Sequence, residues 1–175
     1  YQKILAEAME ELGVETGIVT KGKDEAFISD CTIETDQLAL IPDSYIDMTA
    51  EKIRIYKELD SLTSDKEIEI LKSRLSDRFG TLPEEVLRLF DIVRIRQLGQ
   101  KLGFEKLIIK NGVLIGFFIS NPLSQYYKSD RFSKVLENIS LNPRIFELKQ
   151  NDSKLRIFVR NVESISKAYD VLTKL

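Results

Sequence analysis

The 175-residue sequence contains no histidine and a single cysteine, Cys31. Histidine is the commonest general base of enzymes and the commonest metal ligand, so a catalytic triad cannot be assembled. One cysteine cannot form an internal disulfide, and no signal peptide is recognisable at the amino end, which favours the reducing cytoplasm. Without a histidine to activate it, Cys31 is interpreted as an incidental thiol. We therefore expect no catalytic residue, no cofactor and no metal in this chain.

Long apolar runs and an excess of one charge are also lacking. The longest apolar run, 113–119, is interrupted by Gly116 and is far shorter than the roughly 20 residues that span a bilayer. Twenty-six basic and 28 acidic side chains leave a net charge of -2. That balance offers no overall attraction to nucleic-acid phosphates or to an anionic membrane. We expect a cytoplasmic protein that contacts neither a membrane nor nucleic acid directly.

The amino-terminal part divides into a helix and a segment without periodicity. Apolar residues recur at helical spacing through residues 1–13, where Gly13 marks a helix end. Residues 14–37 are rich in glycine, threonine and acidic side chains, which is the composition of a flexible linker. The chain begins at Tyr1 within helix-like sequence, which suggests a piece of a longer polypeptide. A folded domain is predicted over residues 38–175.

The linker contains a motif that resembles a phosphate-binding loop. Gly17 is followed, after four residues, by Gly22 and Lys23. A phosphate-binding loop needs Ser or Thr after the lysine to hold Mg²⁺, whereas Asp24 stands there in this sequence. The motif also follows the end of a helix and not a buried strand. We interpret it as part of a glycine-containing linker.

The folded domain begins with an apolar run and an amphipathic helix. Residues 38–41, stopped by a proline, are predicted to form a strand or an extended packing segment. The first helix is predicted from about Thr49 to Leu62. Its spacing of apolar residues suggests that Ile53, Tyr56 and Leu59 are buried.

Two capping boxes predict the starts of the next two helices. Ser64 stands three residues before Glu67, and Thr81 stands three residues before Glu84. In each box the two side chains can satisfy backbone N–H groups of the first helical turn. The second of these helices should start at Pro83, where a missing N–H costs little. Because it carries apolar residues on nearly every side, it is predicted to be the most buried helix.

After the third helix the pattern changes to that of strands. Residues 106–110 and 113–119 are β-rich runs joined by Asn111 and Gly112, the strongest short-range signal for a hairpin. A helix, a second hairpin and a last helix follow. The order hairpin, helix, hairpin, helix predicts an α+β fold in which central helices accompany a small antiparallel sheet. The later elements are predicted around residues 132–139, 145–149, 155–159 and 165–172.

One possible nucleic-acid surface lies on the third helix. One interpretation is that basic side chains there follow a phosphate backbone, with two tyrosines as stacking partners. Their acidic neighbours cancel the field, and the alternative is a polar edge that meets another protein. The residues concerned are Arg88, Arg94, Arg96, Lys101, Tyr126 and Tyr127.

One set of motifs is specific enough to identify a family. These are IPDSYI at 41–46, IRIYKEL at 53–59, LSDRFGTLP at 75–83, IR at 95–96 and KLG at 101–103. Together they resemble the carboxy-terminal domain of bacterial transcription-repair coupling factors, the Mfd family, over about residues 38–110. The resemblance implies a parent protein that is an ATP-driven DNA translocase, displaces stalled RNA polymerase and recruits nucleotide excision repair through UvrA. Its ATPase motifs would lie upstream, and the helix over 1–13 would end the motor.

The resemblance also implies a function for this domain. It is expected to dock, without catalysis, on the UvrA-binding domain of the same protein and to hold the translocase in a repressed state. In the family, acidic side chains on the helix leading into R-F-G face basic residues of that domain. Asp77 matches this pattern, although a capping or solubility function is equally open.

Two neighbouring arginines complicate that expected contact. Arg74 stands where an acidic residue is common, which leaves a rearranged or charge-reversed contact open. Arg78 either contributes to docking or pairs inside the domain. UvrA and RNA polymerase would be indirect partners. The alternative function is a module that contacts nucleic acid or RNA polymerase directly.

Overall fold

A computed structural model describes residues 27–152 and 154–175 of the chain. The predicted helix over 1–13, the glycine motif and most of the predicted linker lie outside these residues. In the described part, five α-helices and five strands form the predicted α+β fold, with one strand more than predicted, which makes the sheet mixed and not purely antiparallel. The helices are α1 (Thr49–Ser61), α2 (Asp65–Phe79), α3 (Glu84–Leu102), α4 (Asp130–Leu141) and α5 (Ile165–Leu172). The strands are β1 (Thr32–Thr35), β2 (Phe104–Lys110), β3 (Val113–Phe118), β4 (Glu147–Asn151) and β5 (Lys154–Arg160).

The strands form one sheet in the order β1-β2-β3-β5-β4. The predicted hairpins β2–β3 and β4–β5 are antiparallel, and β3 pairs with β5. Asn111 and Gly112 both have positive φ, as the tight turn between β2 and β3 requires. β1 is an edge strand of the sheet and pairs in parallel with β2. The prediction of a linker is therefore wrong for residues 32–35, because a short polar strand with no periodicity forms only through its long-range pairing with β2.

The two predicted capping boxes have different outcomes. The Ser64 hydroxyl accepts a hydrogen bond from the Glu67 N–H at 3.2 Å, and the Glu67 carboxylate accepts one from the Thr63 N–H at 2.8 Å. The box at Thr81 and Glu84 does not form. α3 begins directly after Pro83, whose side chain has no acceptor, so its start has no side-chain cap.

The buried stripe of α1 also differs from the prediction. Ile55 and Leu59 are buried together with Glu51, four residues apart along one face. Ile53 and Tyr56 are 50% and 37% exposed. The apolar residues of α1 fit two overlapping stripes, and packing against α2 and α3 selects the stripe that contains a carboxylate.

The long helix α3 connects two apolar cores. Its first half contributes Val86, Phe90 and Val93 to a core shared with α1 and α2. Its second half contributes Ile95 and Leu102 to a core formed by the sheet, α4 and α5. This confirms the prediction that α3 is the central helix. None of the described helices is long and apolar enough to cross a membrane.

Candidate functional site

The exposed side of α2 is the surface on which the sequence predicted docking. A depression of about 670 Å³ lies along this helix, and apolar Ile70 within it is 57% exposed. Residues three and four positions apart share one face of a helix, so Ile70, Arg74 and Asp77 lie in a row. We call this region the α2 surface. It is lined by Lys66, Glu69, Ile70, Ser73, Arg74, Asp77 and Arg78.

The two arginines of the α2 surface are engaged inside the domain. Arg74 forms an ion pair with Glu58 of α1. Arg78 forms an ion pair with Glu51, whose carboxylate is buried and also receives Arg54. These contacts tie α2 to α1. For Arg78 the structure shows the pairing within the domain that the sequence left open.

Asp77 differs from both arginines. It is exposed, and within the described part of the chain it forms no ion pair and no side-chain hydrogen bond. It lies one helical turn from the paired Arg74, whose charge Glu58 already balances. The α2 surface thus presents the unpaired carboxylate of Asp77 on the same face as exposed Ile70, two helical turns away. At the other end of the surface, Lys66 has no ion pair among the described residues either.

Glu51 is a buried structural residue that the sequence did not predict. Its side chain is only 8% exposed although it accepts hydrogen bonds from two arginines that are mostly exposed. Burial of a carboxylate is costly unless it is paired, so Glu51 requires these partners. Its spacing could have indicated its burial. Glu51 precedes Ile55 by one helical turn and Leu59 by two, so the three side chains share one face of α1.

The IPDSYI motif positions the carboxyl end of α2. The Tyr45 hydroxyl lies 2.9 Å from the Gly80 carbonyl oxygen and 3.2 Å from that of Leu75. Its ring packs against Phe79 at 5.9 Å between centroids, and its burial raises the pKa of the phenol. The motif therefore holds the last turn of α2, where Asp77 lies.

The tyrosines and arginines considered for nucleic-acid binding do not form a common surface. Tyr126 is fully buried, and its hydroxyl donates to the Leu102 carbonyl. It belongs to the sheet core and is not available for stacking. The arginines face separate carboxylates on the helices. Arg88 pairs with Glu84 at 3.1 Å, Arg94 with Asp65 at 3.4 Å and Arg96 with Asp60 at 3.5 Å.

Cys31 is buried beside Gly99. Desolvation, with a smaller contribution from Asp30, raises the pKa of its thiol to about 12. The reactive thiolate is therefore scarce at neutral pH. Among the described residues, no group of three or more His, Cys, Asp or Glu side chains is arranged to hold a metal ion.

Comparison with known proteins agrees with the resemblance in the sequence. The TRCF domain family matches residues 35–129. The transcription-repair-coupling factor of Rickettsia prowazekii is 31% identical over 153 residues, which cover 87% of this chain and 12% of that protein. The same factor from Escherichia coli is 34% identical over 112 residues, covering 61% of this chain and 9% of that protein.

The chain thus spans about an eighth of the length of such relatives. A crystal structure of the C-terminal domain of a transcription-repair coupling factor has the same fold. The two structures superpose with a TM-score of 0.68 at 20% sequence identity. The superposition covers 83% of this chain and 88% of the other.

Proposed function

This chain belongs to the TRCF domain family, and from that premise we propose that it is a non-catalytic regulatory domain of a transcription-repair coupling factor. It docks through the α2 surface on the UvrA-binding domain of the same protein, in the cytoplasm. Docking holds the ATP-dependent DNA translocase in a repressed state. The parent protein displaces stalled RNA polymerase and recruits nucleotide excision repair through UvrA, and ATP hydrolysis is carried out outside this chain.

The unpaired carboxylate of Asp77, on the same face of α2 as exposed Ile70 and two helical turns from it, is the observation that carries this proposal. An apolar side chain that becomes buried at the centre of an interface supplies affinity, and a nearby charge supplies orientation and partner choice. Arg74 and Arg78 are already paired with Glu58 and Glu51, so docking need not neutralise them. The surface therefore favours a partner with a basic group opposite Asp77.

The size of the surface fits a contact that can be released. The depression along α2 is shallow, and six of the seven residues that line it carry a polar or charged group, although the surface they expose there is mostly carbon. Contacts between domains of one chain are usually modest in area and more polar than permanent interfaces. A repressing contact of this kind opens when the translocase changes conformation.

Calorimetric titration of this chain against the UvrA-binding domain of the same parent tests the proposal. Asp77→Arg should weaken saturable binding by about tenfold or more, equivalent to about 1.4 kcal/mol. Ile70→Asp should also weaken it. Glu137→Arg is the control. It makes the same charge change at an exposed position of α4, in the other half of the domain, and should leave the affinity unchanged. Absence of binding at about 100 μM, or equal losses in the Asp77 and Glu137 variants, would contradict docking through α2.

A further inference from the structure

A second surface, unrelated to the α2 surface, is a strongly basic cavity. It has a volume of about 690 Å³ and opens where α5 meets the β4–β5 end of the sheet. Four cationic side chains line it: Arg144, Arg160, Lys167 and Lys174. Its one acidic residue, Glu147, lies 3.5 Å from Lys149, which balances its charge. Within residues 27–152 and 154–175, the four cations have no ion pair or side-chain hydrogen bond.

This cluster contrasts with the helical half of the molecule. The arginines of α2 and α3 face carboxylates, as Arg74 faces Glu58. Residues 142–175, in contrast, contain seven basic and four acidic side chains, a net charge of +3. The overall charge of -2 therefore conceals a polarised distribution. Cations held together without counter-charges repel one another, and an anionic ligand relieves that repulsion.

The cavity adjoins the face of the sheet opposite the sheet core, which we call the outer face. Side chains alternate between the two faces of a strand. Phe117 of β3 and Phe158 of β5 alternate with core residues and belong to neither core. Phe117 is paired with Arg156, and Phe158 with Ile115, so the two rings are diagonal neighbours on the central strands.

Long cationic side chains lie over these two rings. The Arg156 Cζ atom is 5.9 Å from the Phe117 centroid and 5.3 Å from that of Phe158. Lys149 Nζ is 4.6 Å from the Phe158 centroid, and Lys106 Nζ is 5.9 Å from that of Phe117. The Nε atom of Arg156 is buried and has no hydrogen-bond partner among the described residues. Phe158 also lines the basic cavity, so the aromatic and basic features form one continuous surface.

We propose that the outer face and the basic cavity together bind single-stranded nucleic acid. Phosphates contact the four cations of the cavity, and bases stack on Phe158 and Phe117 after the covering side chains move aside. An acidic peptide would satisfy the cations but has no need of two neighbouring aromatic rings. A duplex keeps its bases stacked inside. The combination of clustered cations and paired rings therefore favours a single strand.

This proposal changes the expectation drawn from the sequence. A net charge of -2 predicted no direct contact with nucleic acid, but net charge is an average over all surfaces. The basic side of the molecule is separate from the α2 surface, so the proposal does not depend on docking to the UvrA-binding domain. Either can fail without the other.

Fluorescence anisotropy of a labelled oligothymidylate of about 20 nucleotides, titrated with the whole chain, tests the proposal. Affinity should fall with salt between about 50 and about 200 mM, with a log–log slope near -3 for four phosphate contacts. Arg160→Glu combined with Lys167→Glu should lower the affinity by about tenfold or more and reduce the slope by about 1.4. Lys57→Glu combined with Lys101→Glu, which makes the same net charge change on α1 and α3, should alter the affinity by less than about twofold.

Phe158→Leu separates stacking from phosphate binding. Leucine keeps an apolar side chain of similar size, so the fold should persist, as a thermal melt would verify. We expect about a fivefold or greater loss of affinity for the oligothymidylate. The proposal is overturned if the chain shows no saturable binding at about 50 mM salt. It is equally overturned if the control pair loses as much affinity as the Arg160 and Lys167 pair, or if duplex DNA or polyglutamate binds as tightly as the single strand.

Discussion

Replacement of Gly103 by alanine should destabilise this domain far more than the same replacement at Gly80 or Gly112, the other described glycines with positive φ. Gly103 ends α3 in the left-handed conformation, with φ of 97° and ψ of 24°. A Cβ atom built there would lie 2.6 Å from the Tyr126 hydroxyl oxygen and closer still to two carbons of the ring. Tyr126 is fully buried among Phe118, Tyr127 and Phe132, so its ring has little room to move.

The expected loss has three parts. The left-handed conformation costs a non-glycine residue roughly 1–2 kcal/mol. Displacement of a packed aromatic ring costs about 1–3 kcal/mol. The moved Tyr126 hydroxyl also loses its hydrogen bond to the Leu102 carbonyl, at about 1–3 kcal/mol for a buried group. The total, about 3–8 kcal/mol, is comparable with the whole stability of many domains, which is about 5–15 kcal/mol.

Urea denaturation followed by far-ultraviolet circular dichroism measures this loss. Gly112→Ala is the matched control, because Gly112 also has positive φ but a Cβ atom there meets nothing within 4 Å. It should cost only the roughly 1–2 kcal/mol of the conformation. In a Tyr126→Leu background, Gly103→Ala should cost little more than this control. Equal losses at Gly103 and Gly112 in the native background would refute the reasoning.

Three further outcomes follow from buried ionisable groups. Glu51→Ala should lower the free energy of unfolding by about 1–3 kcal/mol, because α1 and α2 lose the carboxylate that joins Arg54 and Arg78. Urea denaturation measures this loss, and a value below about 0.5 kcal/mol would contradict the expectation. Burial raises the pKa of the Asp91 carboxyl, so ionisation of this group costs folding free energy, and the cost is fully present above the raised pKa. Asp91→Asn should therefore raise Tm at neutral pH. The gain should shrink as the pH falls through the raised pKa and vanish below the ordinary pKa of an aspartate; a gain independent of pH would exclude this cause. Burial raises the pKa of the Cys31 thiol to about 12, so a thiol reagent at mildly alkaline pH should react slowly with native protein and rapidly in urea. Full reactivity in the native state would show that residue 31 is accessible.

The two proposed sites could be predicted from the sequence to different degrees. Asp77 was named through the family resemblance, which rests in part on the DRFG motif. Glu51 could not, because the need for a buried carboxylate arises only where Arg78 of another helix meets α1. The basic cavity was also beyond prediction, since Arg144, Arg160 and Lys174 are scattered in the sequence and meet only through the packing of α5 against the sheet. Tyr126 shows the opposite error, a candidate surface aromatic that packing places in the core.

The sequence by itself determined the order of elements after residue 49, the cap of α2 at Ser64, the turn at Asn111 and Gly112, and the family. The cap and the turn each depend on residues within about four or five positions of one another, so local chemistry is sufficient to specify them. The family was recognisable because several such local motifs occur in a fixed order over residues 41–103. Only the tertiary structure decided that residues 32–35 form a strand, because that strand pairs with β2 more than 70 residues later in the chain. The same is true of the buried stripe of α1 and of the separation of charge between the two halves. Each of these features depends on which side chains, distant in the sequence, come into contact, and the packing of the elements decides those contacts.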